Sequence, residues 1–99
     1  MALHLDGKNR ITCFDRVSLG SLNQTIVHPR EVFKTACLSN AAAILLIHNH
    51  PTGDPAPSQE DIVITRRLKE GGDLLGIKVL DHIIVGYSHY FSFVESGLL

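Results

Sequence analysis

Hydrophobic and polar positions alternate at the start of the chain, in Ala2-Leu3-His4-Leu5-Asp6, with the period of two expected of a strand. Asp6-Gly7-Lys8-Asn9 has the residues of a tight turn, so Arg10 to Leu19 is expected to return as a second strand. Gly20-Ser21-Leu22-Asn23 interrupts it. The period then changes. In His28-Pro29-Arg30-Glu31 a proline and an acid stand where both are favoured, in the first turn of a helix. Val32, Phe33, Ala36 and Cys37 form one apolar helical face, and Asn40 is a suitable left-handed stop.

Ala41 to Ile47 is a continuous apolar run without charge, the pattern of a central strand covered on both faces. It ends at His48-Asn49-His50-Pro51, and the segment Thr52-Gly53-Asp54-Pro55-Ala56-Pro57 is a loop by composition. Ser58 opens a helix expected to reach Leu75, with Ile64, Leu68 and Leu75 towards the core and Gly76 as its cap. Gly71 and Gly72 weaken its later half. Ile77 to Val85 and Tyr87 to Phe93 read as two strands of a hairpin joined at Gly86. The order strand, strand, helix, strand, helix, strand, strand predicts an α/β domain: a mixed β-sheet with flanking helices, occupying residues 1–99 as one unit.

Length and composition agree with one core: 99 residues, 44% hydrophobic. Cys13 and Cys37 lack CxxC spacing, which argues against a disulfide framework or a thiolate knuckle and for reduced thiols in the cytoplasm. No run approaches the roughly 20 apolar residues that span a bilayer, so no membrane partner is expected. With a net charge of −1 and dispersed Lys and Arg, composition gives no support for strong nucleic-acid binding. Six histidines are many for this length, and two are separated by one residue.

That pair carries the candidate chemistry. Alternation at the end of a strand points His48 and His50 to the same side, where two imidazoles can meet one ion. Zn²⁺ suits them, and its catalytic sites use three protein ligands with a fourth position for water. Asp61, in the first turn of the following helix, is the candidate third ligand. Each piece also has a plain structural reading. A His-x-His pair alone can be merely polar residues at a strand end, and Ser58-Gln59-Glu60-Asp61 is a fair capping box that satisfies backbone N–H groups without any metal.

Taken together, His48-Asn49-His50-Pro51 followed by Ser58 and Asp61 resembles the His-x-His-Pro, Ser-x-x-Asp signature of the JAMM (MPN+) metalloprotease superfamily. The chain is more closely similar to bacterial RadC-like proteins, in His28-Pro29-Arg30-Glu31, His48 to Gly53, Pro57 to Asp61 and Leu80 to Gly86. The resemblance implies a cytidine-deaminase-like three-layer α/β/α fold, zinc held by His48, His50 and Asp61, and a catalytic role for Ser58 in stabilising the oxyanion formed at an amide or isopeptide carbonyl. It also implies a glutamate acting as general base, expected just before the strand that aligns with Met1 to Leu5. Without it, the 99-residue chain is expected to bind metal with weak or no peptidase activity.

Glu31 is better explained as favourable charge at a helix N-terminus, and Glu60 points away from Asp61 on its helix. Asp81 is a candidate acceptor for a ligand imidazole, with strand-end polarity as the alternative. His4, His28 and His89 read as surface or turn residues. The functional expectations are therefore a zinc-dependent hydrolase acting on a peptide or isopeptide, a zinc- or partner-binding module descended from one, or an accessory domain in DNA repair. Exposed edge strands leave pairing between copies open.

Overall fold

The computed structural model describes residues 1–15, 29–50 and 52–99. Among them are five strands and two helices: β1 (Ala2–Leu5), β2 (Ile11–Asp15), α1 (Pro29–Leu38), β3 (Ala43–Asn49), α2 (Gln59–Leu75), β4 (Lys78–Val85) and β5 (Tyr90–Ser92). They form one mixed sheet of order β2-β1-β3-β4-β5, in which only the β3–β4 pair is parallel. The expected α/β fold, a mixed sheet with flanking helices, is the observed one.

The first turn forms as its residues suggest. Asp6 Oδ1 accepts from the backbone N–H groups of Lys8 and Arg10, and Asn9 takes a left-handed φ of 60°. The predicted second strand is observed from Ile11 to Asp15; its remainder to Leu19, the Gly20 to Asn23 interruption and His28 lie outside the described residues. Asn40 stops α1 with φ 54°.

Both helices pack on the sheet face that carries Ala2, Ile44, Leu46 and Val79, where Val32, Phe33 and Ala36 of α1 meet Leu68 of α2. Two predicted core residues fall outside this cluster. Cys37 is exposed, because the buried arc of α1 is confined to Val32, Phe33 and Ala36. Leu75 is 53% exposed, because the buried line of α2, Asp61, Thr65, Leu68 and Gly72, stops one turn before the helix ends at Gly76. Ile64 is half-buried against the core. Tyr87, read as strand, belongs to the connection between β4 and β5.

The glycines of α2 have a packing reason. A Cβ on Gly72 would strike the carbonyl oxygen of Ile77, and one on Gly71 would crowd Phe33 at 3.2 Å. Gly72 thus lets the helix end close tightly onto the strand it feeds, where its carbonyl accepts from the N–H groups of Gly76 and Ile77. The Gly72→Ala variant is expected to lose about 1–3 kcal/mol through overpacking, more than the roughly 1 kcal/mol that alanine gains in helix propensity. Urea denaturation of both proteins measures this; an unchanged or higher midpoint would show that helix and strand can separate without cost.

Candidate metal centre

A register irregularity decides which side chains reach the site. In the parallel pair, Ile44 stands opposite Val79 but Leu45 stands opposite Asp81, so β4 carries one extra residue at Leu80. Beyond it Leu46 pairs with His82 and His48 with Ile84, placing His82 on the helix-covered face with the ligands. Simple alternation from Val79 would have placed Asp81 there.

His48 and His50 sit at the end of β3, with ring centroids 4.7 Å apart. The loop after them is tied back onto the β4–β5 connection: Gly53 N–H donates to the His50 carbonyl, and Tyr87 N–H to the Gly53 carbonyl. Gly53 has φ +80°, and a Cβ there would collide with the Tyr87 ring. A Cβ on Gly86 would likewise strike the Gly53 carbonyl. This close seating delivers the N-terminus of α2 to the histidines.

Ser58 caps that helix by the predicted box. Its hydroxyl oxygen accepts from Asp61 N–H at 3.1 Å, and Asp61 Oδ2 accepts from Ser58 N–H at 2.8 Å. The same carboxylate faces the imidazoles, with Oδ2 3.1 Å from His50 Nε2 and Oδ1 3.7 Å from His48 Nε2. A carboxylate has about four lone-pair directions, so capping and ligation can coexist. The two readings open from sequence are both compatible with this geometry.

One ligand nitrogen is defined by its ring partner. His50 Nδ1 lies 2.8 Å from the Asp54 carbonyl, which can only accept, so Nδ1–H donates to it. A neutral His50 therefore presents a bare Nε2 to a carboxylate oxygen. A proton on Nε2 or a metal ion can join the two atoms at that separation. His48, His50 and Asp61 offer ligand atoms that all lie within 4.8 Å of one another. Tetrahedral zinc with bonds of 2.0–2.1 Å requires separations of about 3.3 Å, so the donor set fits zinc with small adjustments.

Electrostatics keep the group ready for a cation. Burial lowers the pKa of His48, against the opposing pull of Asp61. Burial pushes Asp61 up, but the Ser58 N–H and hydroxyl and both imidazoles hold it below the usual carboxylate range.

Sequence reading gave no role at the site to two residues here, although one, His82, lies in a stretch of family resemblance. His82, 1% exposed, places Nε2 2.9 Å from His48 Nδ1 and stacks on Phe93 with centroids 4.8 Å apart. Thr65 lies 2.6 Å from His82 Nδ1 and donates to the Asp61 carbonyl at 2.6 Å. The available signals were Thr65 four residues after Asp61 on one helix face, and a histidine inside an apolar strand. Asp81, the expected acceptor, does not reach a ligand imidazole among the described contacts. It accepts from Ser92 Oγ and from the N–H groups of His82 and Val94, fastening β4 to the end of β5.

His4 is also corrected. It is fully buried, with Nδ1 2.8 Å from Ser39 Oγ and 3.0 Å from Cys13 Sγ, because its strand neighbour β3 carries it onto the covered face opposite Ile44. His89 is exposed in the β4–β5 connection, as expected; Glu31 and Glu60 are exposed. Cys13 and Cys37 are free. No helix among the described residues is long and apolar enough to cross a membrane.

The mixed sheet with its two helices is compatible with a JAB/MPN domain. The chain belongs to the RadC-like JAB domain family, whose model matches residues 1–98. It is 70% identical over 99 residues to a UPF0758 protein of Trichlorobacter lovleyi and 67% identical over 99 residues to one of Geobacter sulfurreducens. A UPF0758 protein of Methanococcoides burtonii is 56% identical over 98 residues. These matches cover 99–100% of this chain but 43% of each relative, so the chain spans less than half the length of the curated relatives it matches.

Burial holds the His82 pKa down to about 4, with the charge of His48 adding to the effect. An unfolded histidine titrates near 6.5. Between those values the unfolded chain binds a proton that the folded chain refuses, so stability falls as pH falls from about 6.5 towards 4. Urea denaturation of metal-stripped protein is expected to show this loss, with a shallower slope in His82→Gln. Equal slopes in the two proteins would mean that His82 is not held neutral by burial.

Proposed function

We propose that this chain is a JAMM-type zinc hydrolase domain acting on amide or isopeptide bonds, in which His48, His50 and Asp61 hold the ion and Ser58 assists at the reacting carbonyl. The observation that carries this reading is the convergence of His48, His50 and Asp61, whose ligand atoms all lie within 4.8 Å of one another, with His50 Nδ1 turned to the Asp54 carbonyl so that Nε2 faces Asp61. When bound, zinc polarises a carbonyl and lowers the pKa of water towards about 7. The Asp54 carbonyl fixes the ring of His50, and the Ser58 N–H fixes the carboxylate of Asp61. The Ser58 hydroxyl stands beside that carboxylate on an exposed residue, where it can donate to negative charge developing on a substrate oxygen.

Proton transfer to a leaving amine needs a further acid–base group. Glu31 and Glu60 are exposed on their helices, and neither forms part of the metal-ligand group. We assign the role to a glutamate preceding β1 in longer members of the family. The position is apt, since the Met1 amino group donates to the carbonyl of Ile47, next to His48. The 99 residues alone are thus expected to bind zinc and to cleave weakly or not at all. A DNA-associated role finds no support in the net charge of −1.

Elemental analysis of the purified chain beside His48→Ala and Asp61→Ala tests the ligands: close to one zinc per wild-type chain is expected, with substantial loss in both variants. Equal zinc in all three would sink the assignment. Robust zinc-dependent peptide cleavage by the 99-residue chain would refute the assignment of the base to another segment.

A further inference from the structure

Zinc needs a lone pair on each imidazole at the correct nitrogen, and neutral histidine can place its ring proton on either one. For His50 the Asp54 carbonyl decides the matter. For His48 the partner is another imidazole, which could donate or accept, so the outcome depends on what fixes His82.

The hydrogen bonds settle this from the far end. The Asp61 carbonyl can only accept, so the single hydroxyl proton of Thr65 is committed to it at 2.6 Å. Thr65 Oγ1 then meets His82 Nδ1, at 2.6 Å, as an acceptor, which requires the proton of His82 to be on Nδ1. The Nε2 of His82 is left with a lone pair and faces His48 Nδ1 at 2.9 Å. His48 must therefore carry its proton on Nδ1, and its Nε2, directed towards Asp61 Oδ1, is bare. Stacking against Phe93, with ring planes 5° apart, holds His82 in the plane this chain needs. Both His82 and Thr65 are almost wholly removed from solvent, at 1% exposure each, so water competes poorly for these bonds.

We propose that His82 is a positioning residue for the metal: held in its Nδ1–H form by Thr65, it accepts the Nδ1 proton of His48 and so presents His48 Nε2 as a ligand atom. The inference rests on the zinc reading for its functional meaning. The chain of bonds starts at the backbone of one ligand, Asp61, and ends at the ring of another, His48, so the two ligands are set by one arrangement. A carboxylate in the place of His82 would also fix the proton, but would add negative charge beside the ion; a neutral imidazole fixes it without compensating the metal's charge.

Two measurements test this. In metal-free protein labelled with ¹⁵N-histidine, long-range ¹H–¹⁵N correlation reads which nitrogen of each ring is protonated. His48 and His82 are both expected as Nδ1–H, and a His48 protonated at Nε2 overturns the proposal. Zinc affinity by chelator competition is then compared for wild type, His82→Phe, Thr65→Val and Thr65→Ser, with folding checked by circular dichroism. His82→Phe and Thr65→Val are expected to weaken binding about 10–100-fold, the usual scale for outer partners of metal ligands, while Thr65→Ser, which keeps the hydroxyl, stays within about threefold. Folded Thr65→Val that binds zinc as tightly as wild type overturns the role. Should His82→Phe fail to fold, the Thr65 pair and the wild-type spectrum still decide. Failure of wild type to bind zinc would remove the metal reading, whereas the proton positions are read without metal and stand or fall separately.

Discussion

The parallel pairing of β3 with β4 is the constraint from which the site follows. Parallel neighbours need a crossover, and here α2 supplies it, running back along the sheet from the end of β3 to the start of β4. The helix N-terminus must then lie at the strand end that carries His48 and His50. Asp61, in its first turn, arrives beside the histidines because the chain has no other short route. The site thus occupies the carboxyl end of parallel strands, where open α/β sheets generally place their ligands.

Around that constraint, polar groups that would be costly to bury are made to satisfy one another. Asp61 accepts the Ser58 N–H that begins the helix and also faces both imidazoles, so helix capping and the proposed metal ligation draw on one carboxylate. Thr65, His82 and His48 continue the hydrogen bonding inward from the Asp61 carbonyl. A buried network of this kind is favourable only when every member has a partner of the correct sense. The same requirement fixes the ring protons, and so local stability and readiness for a cation have a common origin. The glycines at 53, 72 and 86 serve this geometry by allowing backbone to approach backbone or ring where a side chain would collide.

Much of this was legible in the sequence. The alternation of Ala2 to Asp6, the turn residues from Asp6 to Asn9, the apolar run before His48, and the Ser58 and Gly76 caps are local signals, and each element formed where they indicated. The order and spacing of His48, His50, Ser58 and Asp61 indicated that these residues would meet, because spacing along a strand and a first helical turn translates directly into position. Departures came where long-range packing decides. The extra residue at Leu80 reverses the side-chain parity of β4, so that His82 and not Asp81 faces the ligands; a period of two has no means of showing this. His4 looked like surface polarity but is buried by pairing with β3. Cys37 and Leu75 fit an apolar helical period but lie beyond the part of each helix that the sheet covers.

The central claim is that one ion joins His48, His50 and Asp61 through atoms chosen by the surrounding hydrogen bonds. The most direct measurement is a crystal structure of the zinc-loaded chain with anomalous data collected on both sides of the zinc absorption edge. The account predicts one strong zinc peak at about 2.0–2.2 Å from the Nε2 atoms of His48 and His50 and a carboxylate oxygen of Asp61, with His48 Nδ1 still bonded to His82. A peak elsewhere, ligation through Nδ1 of either histidine, or no zinc at this group would contradict it.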